Sequence, residues 1–423
     1  MWRAGLEEAF GQVAPCFGRP EPRANAQAYF QGLLAGVERK NCWELADHAG
    51  HGRPHRLHRL LNTSVWDADE VRNRVRAYAV AELADDDPVL IFDETGFCKK
   101  GAMSAGVARQ YTGTTGQVEN CQIGVFATYA TSRGHCLIDR ELYAHRSWFE
   151  DRQEGGDRCR KAHIPEQLCL VTKPRLALRM AERTLSAGVR VGWIVGDEVY
   201  GRSGALREWA YGRGIGAVLA VPRNHRVELR AGERKVRVDQ VEVPPSVWGR
   251  YSAGSGSKGR RYFRWALVAT TDPAVHLLIR RPSKAPKTSP NGKNGKNGKK
   301  KDARGDWAFF WCYTPRPVPI KALVRVAGLR WPVEETFQTG KNETGLDQYQ
   351  VRTWHGWYRH ITLSMLASAF LAVTAARERV LPDDPGDAEP VDTGITPQKG
   401  GPPAVDNPYD RRPRSTVWAS NTT

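Results

Sequence analysis

DDDPVLIFDETG, residues 85–96, is the stretch that decides the fold class of this 423-residue chain. Its centre, VLIF at 89–92, is continuously apolar and is bounded by acidic residues and a glycine, which is typical of a buried strand. VGWIVGD, residues 191–197, has the same form. Each apolar run ends in a carboxylate, Asp93 in the first and Asp197 in the second. The two runs therefore predict buried strands whose ends carry acidic side chains.

The segments around these runs predict a mixed α/β fold with a central sheet. Two segments joined by a tight turn at 132–134 predict neighbouring strands. A segment that opens with proline and closes with glycine predicts a helix. The predicted elements are the strands QIGVFATYAT (122–131) and HCLIDRELYA (135–144), the helices PRLALRMAERTLSAG (174–188) and ALREWAYGRG (205–214), and the strand AVLAVPR (217–223). Together they assign residues 86–223 to the first part of an α/β core.

Residues 224–306 have the pattern of a β-rich insertion, because they alternate and are rich in β-branched and aromatic residues. Within the insertion, 284–305 is basic and of low complexity, which predicts a mobile, disordered loop. WAFFWCYT (307–314) predicts a further strand, followed by one long helix from about 320 to 344 and another from about 357 to 379. We assign 307–380 to the second part of the core and 381–423 to a disordered tail.

Residues 1–85 read as several short helices, since apolar residues recur at three-to-four spacing. Asp67, with Glu70 three residues later, is an N-terminal capping signature. Arginine and histidine residues between the helices fit a helix-turn-helix-like DNA-binding domain, and a plain helical bundle fits the pattern as well.

The chain is strongly basic, with a formal net charge of +17 and a pI of about 9.7. This surplus indicates a polyanionic partner such as nucleic acid, although a basic enzyme of another kind has the same balance. The eight cysteines are scattered without a CxxC pair, which favours a reducing compartment over a disulfide framework. The apolar stretch at 365–376 is too short to span a bilayer, so we expect a soluble cytoplasmic protein without a membrane partner.

Asp93 and Asp197 are candidate metal ligands, because carboxylates at the ends of neighbouring strands can meet in a crevice. Two such groups repel each other, and a divalent cation relieves the repulsion. Oxygen ligands suit Mg²⁺ or Mn²⁺. A turn residue or a helix cap is the alternative explanation for each aspartate.

RWPVEETFQTGK, residues 330–341, predicts a third ligand. Arg330, Glu334 and Lys341 are four and seven residues apart, which places them on one face of a helix. One acid between two bases fits a metal ligand flanked by phosphate contacts, and an exposed salt-bridged stripe is the alternative. Glu335, about 100° around the helix, and Glu343, beyond Lys341, are rival third ligands.

Four motifs together resemble bacterial insertion-sequence transposases of the DDE class: IFDETGFCKKG, GVARQYTGTTGQVENCQIGVF, GDEVYG and RWPVEETFQTGKNETGLDQYQVR. The resemblance runs in order from about residue 18 to 379 and implies the RNase H-like fold shared with retroviral integrases. It identifies Asp93, Asp197 and Glu334 as the metal-binding catalytic triad. The last helix resembles the Tyr-Arg-Glu-Lys signature of the family, with Ala327 at the tyrosine position, so one phosphate-side contact departs from the pattern.

The resemblance implies a function. Two Mg²⁺ or Mn²⁺ ions would support cleavage of double-stranded DNA at the transposon ends and joining to target DNA, by a homodimer on DNA associated with the bacterial nucleoid. A stand-alone RNase H-like nuclease and a DNA-binding protein with decayed catalysis are the alternatives. Lys99 and Lys100 are candidate phosphate contacts or solvated loop residues, and Trp311 is a candidate for base stacking or core packing.

Overall fold

The computed structural model describes residues 2–256, 259–283 and 306–379. The predicted basic loop, 284–305, and the predicted tail, 381–423, lie outside these described residues. Within them, residues up to Arg379 form one compact unit. A mixed sheet of ten strands runs through the described part of the chain.

Five strands form the centre of this sheet in the order β4-β3-β1-β5-β6. β3 pairs antiparallel with both β1 and β4, whereas β5 runs parallel to both β1 and β6. The short β2 pairs with the first residues of β3. The bounds are β1 (Val89–Cys98), β2 (Ala108–Thr112), β3 (Gln117–Ala130), β4 (His135–Tyr143), β5 (Trp193–Gly196) and β6 (Gly216–Val221). The sheet is mixed and flanked by helices, which confirms the predicted RNase H-like α/β class.

The residues predicted to form a β-rich insertion do form strands, and these strands continue the central sheet instead of building a separate one. β12 pairs antiparallel with β6, and β11, β10 and β9 follow outward. β7 and β8 form a two-stranded sheet of their own. The bounds are β7 (Arg226–Val227), β8 (Val236–Arg237), β9 (Gly249–Gly256), β10 (Gly259–Ala269), β11 (Val275–Pro282) and β12 (Ala308–Tyr313). A second hydrophobic cluster, which includes Trp248 and Phe309, lies under this extension.

Helices cover the sheet. Their bounds are α1 (Trp2–Val13), α2 (Pro20–Leu34), α3 (Cys42–His48), α4 (His55–Asn62), α5 (Ala68–Leu83), α6 (Arg146–Gln153), α7 (Arg158–Lys161), α8 (Lys173–Ser186), α9 (Glu198–Gly201), α10 (Gly204–Arg213), α11 (Ile320–Gly328), α12 (Trp331–Thr344) and α13 (Trp354–Glu378). The predicted cap at Asp67 is present, since its side chain accepts from the backbone N–H of Asp69.

The N-terminal helices share a hydrophobic core with the rest of the unit. α5 packs against α13 and β4, and α2 also contacts α13. α13 is long and apolar enough to cross a membrane by composition, but most of it is buried inside the protein, as in the core helix of a soluble fold. The apolar composition of α13 is therefore explained by its central position.

Asp139, a completely buried residue on β4, joins three layers. Arg72 on α5 donates to it at 2.5 Å, and Arg183 on α8 donates at 3.0 Å. A buried carboxylate is retained only when charged donors compensate for its lost hydration. This ion network therefore ties the N-terminal helices to the sheet.

One predicted helix is wrong in its extent. The segment 320–344 forms two helices, α11 and α12, that meet at Leu329 and Arg330. Pro332 lies in the first turn of α12, where its missing N–H costs nothing. In the middle of a continuous helix it would remove one hydrogen bond and clash with the preceding turn. Glu334 therefore lies in the first turn of α12 instead of in the middle of one long helix.

Candidate active site

Asp93 and Asp197 lie side by side at the centre of the sheet. β1 and β5 are parallel, and their last paired residues are Phe92 and Gly196, so the next residue on each strand is an aspartate. Neighbouring strands are about 4.8 Å apart, which makes these two residues direct neighbours. Asp93 is not at a strand end as predicted, because β1 continues to Cys98 along β3. It is nevertheless the first residue beyond its pairing with β5.

The two aspartates are crowded by other charges. Burial raises the pKa of Asp93 to about 7, against the opposing effect of Arg330, and Asp197 raises it further. Burial and the nearby Glu94 also raise the pKa of Asp197, although Arg330 opposes this shift as well. One oxygen of Asp197 caps α9 by accepting from the N–H of Val199 at 2.8 Å. Asp197 is thus a helix cap and also a member of an acidic cluster.

Glu94 belongs to this cluster, and the sequence reasoning missed it. Its two oxygens accept from Lys173 Nζ at 2.8 Å and from the Tyr200 hydroxyl at 2.7 Å. Tyr200 is fully buried and follows Asp197 by three residues, one helical turn. The signal was present in the DET and GDEVYG motifs, but nothing in the spacing indicates that Glu94 and Tyr200 meet.

Glu334 is exposed and lines a cavity of about 900 Å³ together with Asp197 and Arg330. Arg330 interacts electrostatically with both aspartates. The structure therefore brings Asp93 next to Asp197, and Asp197 into the same cavity as Glu334. It does not gather all three into one ligand set: among the described residues no group of three or more His, Cys, Asp or Glu side chains could hold a metal ion.

The rival third ligands point elsewhere. Glu335 interacts electrostatically with His135 and Arg261, and it does not line the cavity. Glu343 interacts with Lys40 of the N-terminal segment. Of the three glutamates, Glu334 is therefore the one that shares a cavity with Asp197.

The predicted phosphate-binding lysines occupy different environments. Lys341 donates to Gly96 O at 3.3 Å and to Thr114 Oγ1 at 3.2 Å, so it holds the β2–β3 turn against β1. Lys99 donates to Tyr349 O and lies 3.5 Å from the centre of the Tyr349 ring, and burial lowers its pKa to about 8. Lys100 is exposed. A phosphate contact by any of the three stays a prediction.

Trp311 is half-buried on β12 and packs against the hydrophobic clusters on either side of it. Its ring stacks near Tyr313, with centroids 6.4 Å apart, and the Arg207 guanidinium lies 5.6 Å from its centroid. These contacts agree with the core-packing alternative, and base stacking by Trp311 stays a prediction.

Comparison with known proteins gives the family. The family described as DDE superfamily endonuclease matches residues 12–270, more than half of the chain. The chain belongs to this superfamily. The family described as Transposase DDE domain matches residues 171–370.

One relative is a protein of Microchaete diplosiphon described as a probable transposase for insertion sequence element IS701. It is 29% identical over 206 residues, which are 47% of this chain and 48% of that protein. The chain thus spans about half the length of the curated relative it matches. The comparisons confirm the resemblance to DDE insertion-sequence transposases.

The three candidate residues carry donors that would fit a hard divalent cation, because Asp93, Asp197 and Glu334 all have carboxylate oxygens, which Mg²⁺ and Mn²⁺ prefer. Burial raises the pKa values of both aspartates, and neighbouring carboxylates raise them further: Asp197 and Glu94 for Asp93, and Glu94 for Asp197. A cation would relieve this repulsion.

Proposed function

We propose that this chain is a DDE transposase that cuts DNA at the ends of its insertion sequence and joins those ends to target DNA. The observation that carries the proposal is the pair Asp93 and Asp197, which lie next to each other where the parallel strands β1 and β5 stop pairing. Burial and neighbouring carboxylates raise both pKa values. A cluster of acids with raised pKa values is typical of a functional site.

Asp93, Asp197 and Glu334 would hold two divalent cations, Mg²⁺ or Mn²⁺. Bound cations would supply Lewis-acid activation of a water or 3′-hydroxyl and would stabilise the leaving oxygen. Glu334 lies in the first turn of α12 and lines the same cavity as Asp197. No protein side chain is needed as a nucleophile, since the attacking oxygen comes from water or from DNA.

The remaining residues of the site position these carboxylates. Tyr200 and Lys173 hold Glu94 in place, and Glu94 extends the negative potential around the two aspartates. Arg330 opposes that potential and would contact a phosphate oxygen near the scissile bond. The proposed site thus combines acidic side chains at the sheet with a basic side chain, Arg330, at the start of α12.

Double-stranded DNA, both transposon ends and target, is the proposed substrate, which agrees with the net charge of +17. We propose that the chain acts as a homodimer on DNA in the bacterial cytoplasm, associated with the nucleoid. The predicted helical domain at 1–85 would bind the ends.

The test measures nicking of a duplex that carries the inverted repeats flanking the gene, and in parallel the joining of a pre-cut end to plasmid DNA. The variants Asp93→Asn, Asp197→Asn and Glu334→Gln should each lose both activities while retaining DNA binding. Asp157→Asn, which changes an exposed aspartate paired with Lys161, is the matched control and should keep both. Removal of Mg²⁺ with EDTA should abolish both.

The alternatives give different results. Nicking without joining would identify a stand-alone nuclease. DNA binding with neither activity in Mg²⁺ or Mn²⁺ would identify a protein with decayed catalysis. A nicking rate of the Asp93→Asn variant that equals the wild-type rate would overturn the site assignment.

A further inference from the structure

Besides Arg202, three arginines line the cavity that contains Asp197 and Glu334. Arg261 and Arg280 come from β10 and β11 of the insertion, and Arg330 comes from the start of the catalytic helix. The cavity, at about 900 Å³, is large enough for a nucleotide unit. The insertion therefore contributes directly to the catalytic cavity.

Each of these arginines has a buried Nε–H without an acceptor among the described residues. A buried donor that is left unpaired costs about 1–3 kcal/mol, and more when the group is charged. Three arginines with incompletely paired guanidinium groups therefore line the same cavity. An anion in the cavity would offset their charge.

The three cations are also close enough to repel one another. Burial lowers the pKa of Arg280, and the neighbouring Arg261 and Arg330 lower it further. Arg280 lies 4.7 Å from the Phe263 ring centroid, a contact that orients its guanidinium. Crowded, oriented guanidinium groups are the arrangement in which proteins bind phosphate.

Arg261 is held in a fixed position. It lies where the register between β9 and β10 shifts, and such bulges near active sites redirect a side chain. One terminal nitrogen donates to Ala253 O at 2.8 Å and lies 3.4 Å from Gly328 O, while the guanidinium covers the Trp331 ring at 4.6 Å. These contacts fix the guanidinium of Arg261, which lines the cavity.

We propose that Arg261 and Arg280 bind a phosphate of the DNA strand beside the scissile bond. The inference rests on the proposed function and adds to it: the ligand is a backbone phosphate, and two residues of the insertion recognise it together with Arg330.

A chemical footprint of the wild-type full chain tests the proposal without any variant. The chain is treated with phenylglyoxal, alone and with a nicked 30-bp duplex in Ca²⁺, and modified arginines are mapped by mass spectrometry. Arg261 and Arg280 should be protected by DNA. Arg213, which is paired with Glu182 on another part of the surface, is the internal reference and should react equally in both states. Equal modification of Arg261 and Arg280 with and without DNA overturns the proposal.

Salt dependence of binding by the same duplex provides the second measurement. Arg261→Gln and Arg280→Gln should each reduce the slope of log K against log salt by about 0.9 in magnitude, the effect of one lost phosphate contact. Arg264→Gln removes the same charge from an exposed position on the same strand, outside the cavity, and should leave the slope unchanged. An equal change in all three variants would indicate a general charge effect and would overturn the proposal.

The two proposals fail differently. If the wild-type chain does not cleave DNA with either metal but DNA protects Arg261 and Arg280, the phosphate site stands and the catalytic function fails. If cleavage depends on Asp93 and Asp197 but neither arginine is protected, the function stands and this inference fails.

Discussion

The hydroxyl of Tyr200 donates a 2.7 Å hydrogen bond to Oε2 of Glu94. The bond links α9, which follows Asp197, to β1, which carries Asp93. Tyr200 is fully buried, and both burial and the nearby Glu94 raise its pKa well above the usual value, so it is a permanent donor. This hydrogen bond is a second contact, in addition to the pairing of β1 with β5, between the segments that carry Asp93 and Asp197.

Tyr200→Phe should weaken this link while keeping the packing volume. We expect a drop in nicking rate of about 10- to 100-fold, because loss of this hydrogen bond would release Glu94, which lies beside the proposed metal ligands Asp93 and Asp197. The loss should be partly recovered at high Mg²⁺, because the defect is in positioning. Nicking rates measured across a Mg²⁺ series test this.

Tyr211→Phe is the matched control, since Tyr211 is a half-exposed tyrosine on the neighbouring α10. Its rate should equal the wild-type rate at every Mg²⁺ concentration. A Tyr200→Phe rate that also equals the wild-type rate would mean that the bond to Glu94 is only structural.

Which parts of this site could be predicted depends on how local their determinants are. The buried strands and the aspartates that come after VLIF and VGWIV are determined by contiguous residues. The sequence pattern alone therefore predicts them. The break between α11 and α12 was also local, at Pro332, but the amphipathic spacing on both sides concealed it. The acidic partner Glu94 required knowledge of the register between β1 and β5, which no periodicity supplies.

The contribution of the insertion to the cavity is even harder to predict from the sequence. Arg261 reaches the cavity because β9 and β10 shift register, and Gly328 permits β9 to approach, since a Cβ there would collide with Ala253 O. The register shift belongs to two consecutive strands, whereas the approach of β9 to Gly328 joins segments far apart in the chain, and strand propensity carries no information about either.

Asp139→Asn should destabilise the fold strongly. The change leaves the largely buried Arg72 and the partly buried Arg183 without their shared carboxylate, and breaking a buried pair on one side costs about 3–5 kcal/mol. Urea unfolding followed by tryptophan fluorescence measures the effect. Asp157→Asn, at an exposed ion pair, should unfold at the wild-type urea concentration, as surface pairs contribute little. An unchanged midpoint for Asp139→Asn would show that the network is not needed for stability.

His360 should make the fold sensitive to acid. Its Nδ1 faces the Tyr29 hydroxyl at 2.8 Å and its Nε2 faces Gly345 O at 3.0 Å, and burial, with Lys99 nearby, lowers its pKa to about 3. Between pH 6.5 and 3 the unfolded histidine binds a proton and the folded one does not. Stability should therefore fall by about 1.4 kcal/mol per pH unit below 6.5 from this group.

His360→Gln isolates this contribution, because the other histidines, which are partly buried or exposed, remain unchanged. The difference in unfolding free energy between wild type and variant should shrink as pH falls from 7.5 to 5.5. A difference that is constant over this range would contradict the assignment.

The basic stretch 284–305, which lies outside the described residues, carries seven lysines in its sequence. If these lysines lie near DNA, replacing the stretch with a neutral Gly-Ser linker of equal length should reduce the salt slope of DNA binding. A charge-preserving linker with the lysines in scrambled order is the control and should keep the slope. An unchanged slope with the neutral linker would identify a spacer whose charge is incidental.

End recognition is predicted for residues 1–85, and α4 is the part best placed for it. Leu57, Leu60 and Leu61 are buried, whereas Arg56 and Arg59 are exposed on the opposite face.

The N-terminal helices share their core with α13, so the test requires the full chain instead of an isolated fragment. The double variant Arg56→Gln, Arg59→Gln should lose the preference for terminal-repeat DNA over random DNA in a competition gel shift. The matched double variant Arg3→Gln, Arg146→Gln, at exposed arginines paired with Glu7 and Glu150, should keep it. If the α4 variant retains full preference, another surface reads the ends, and α4 supplies at most a sequence-independent contact to phosphate.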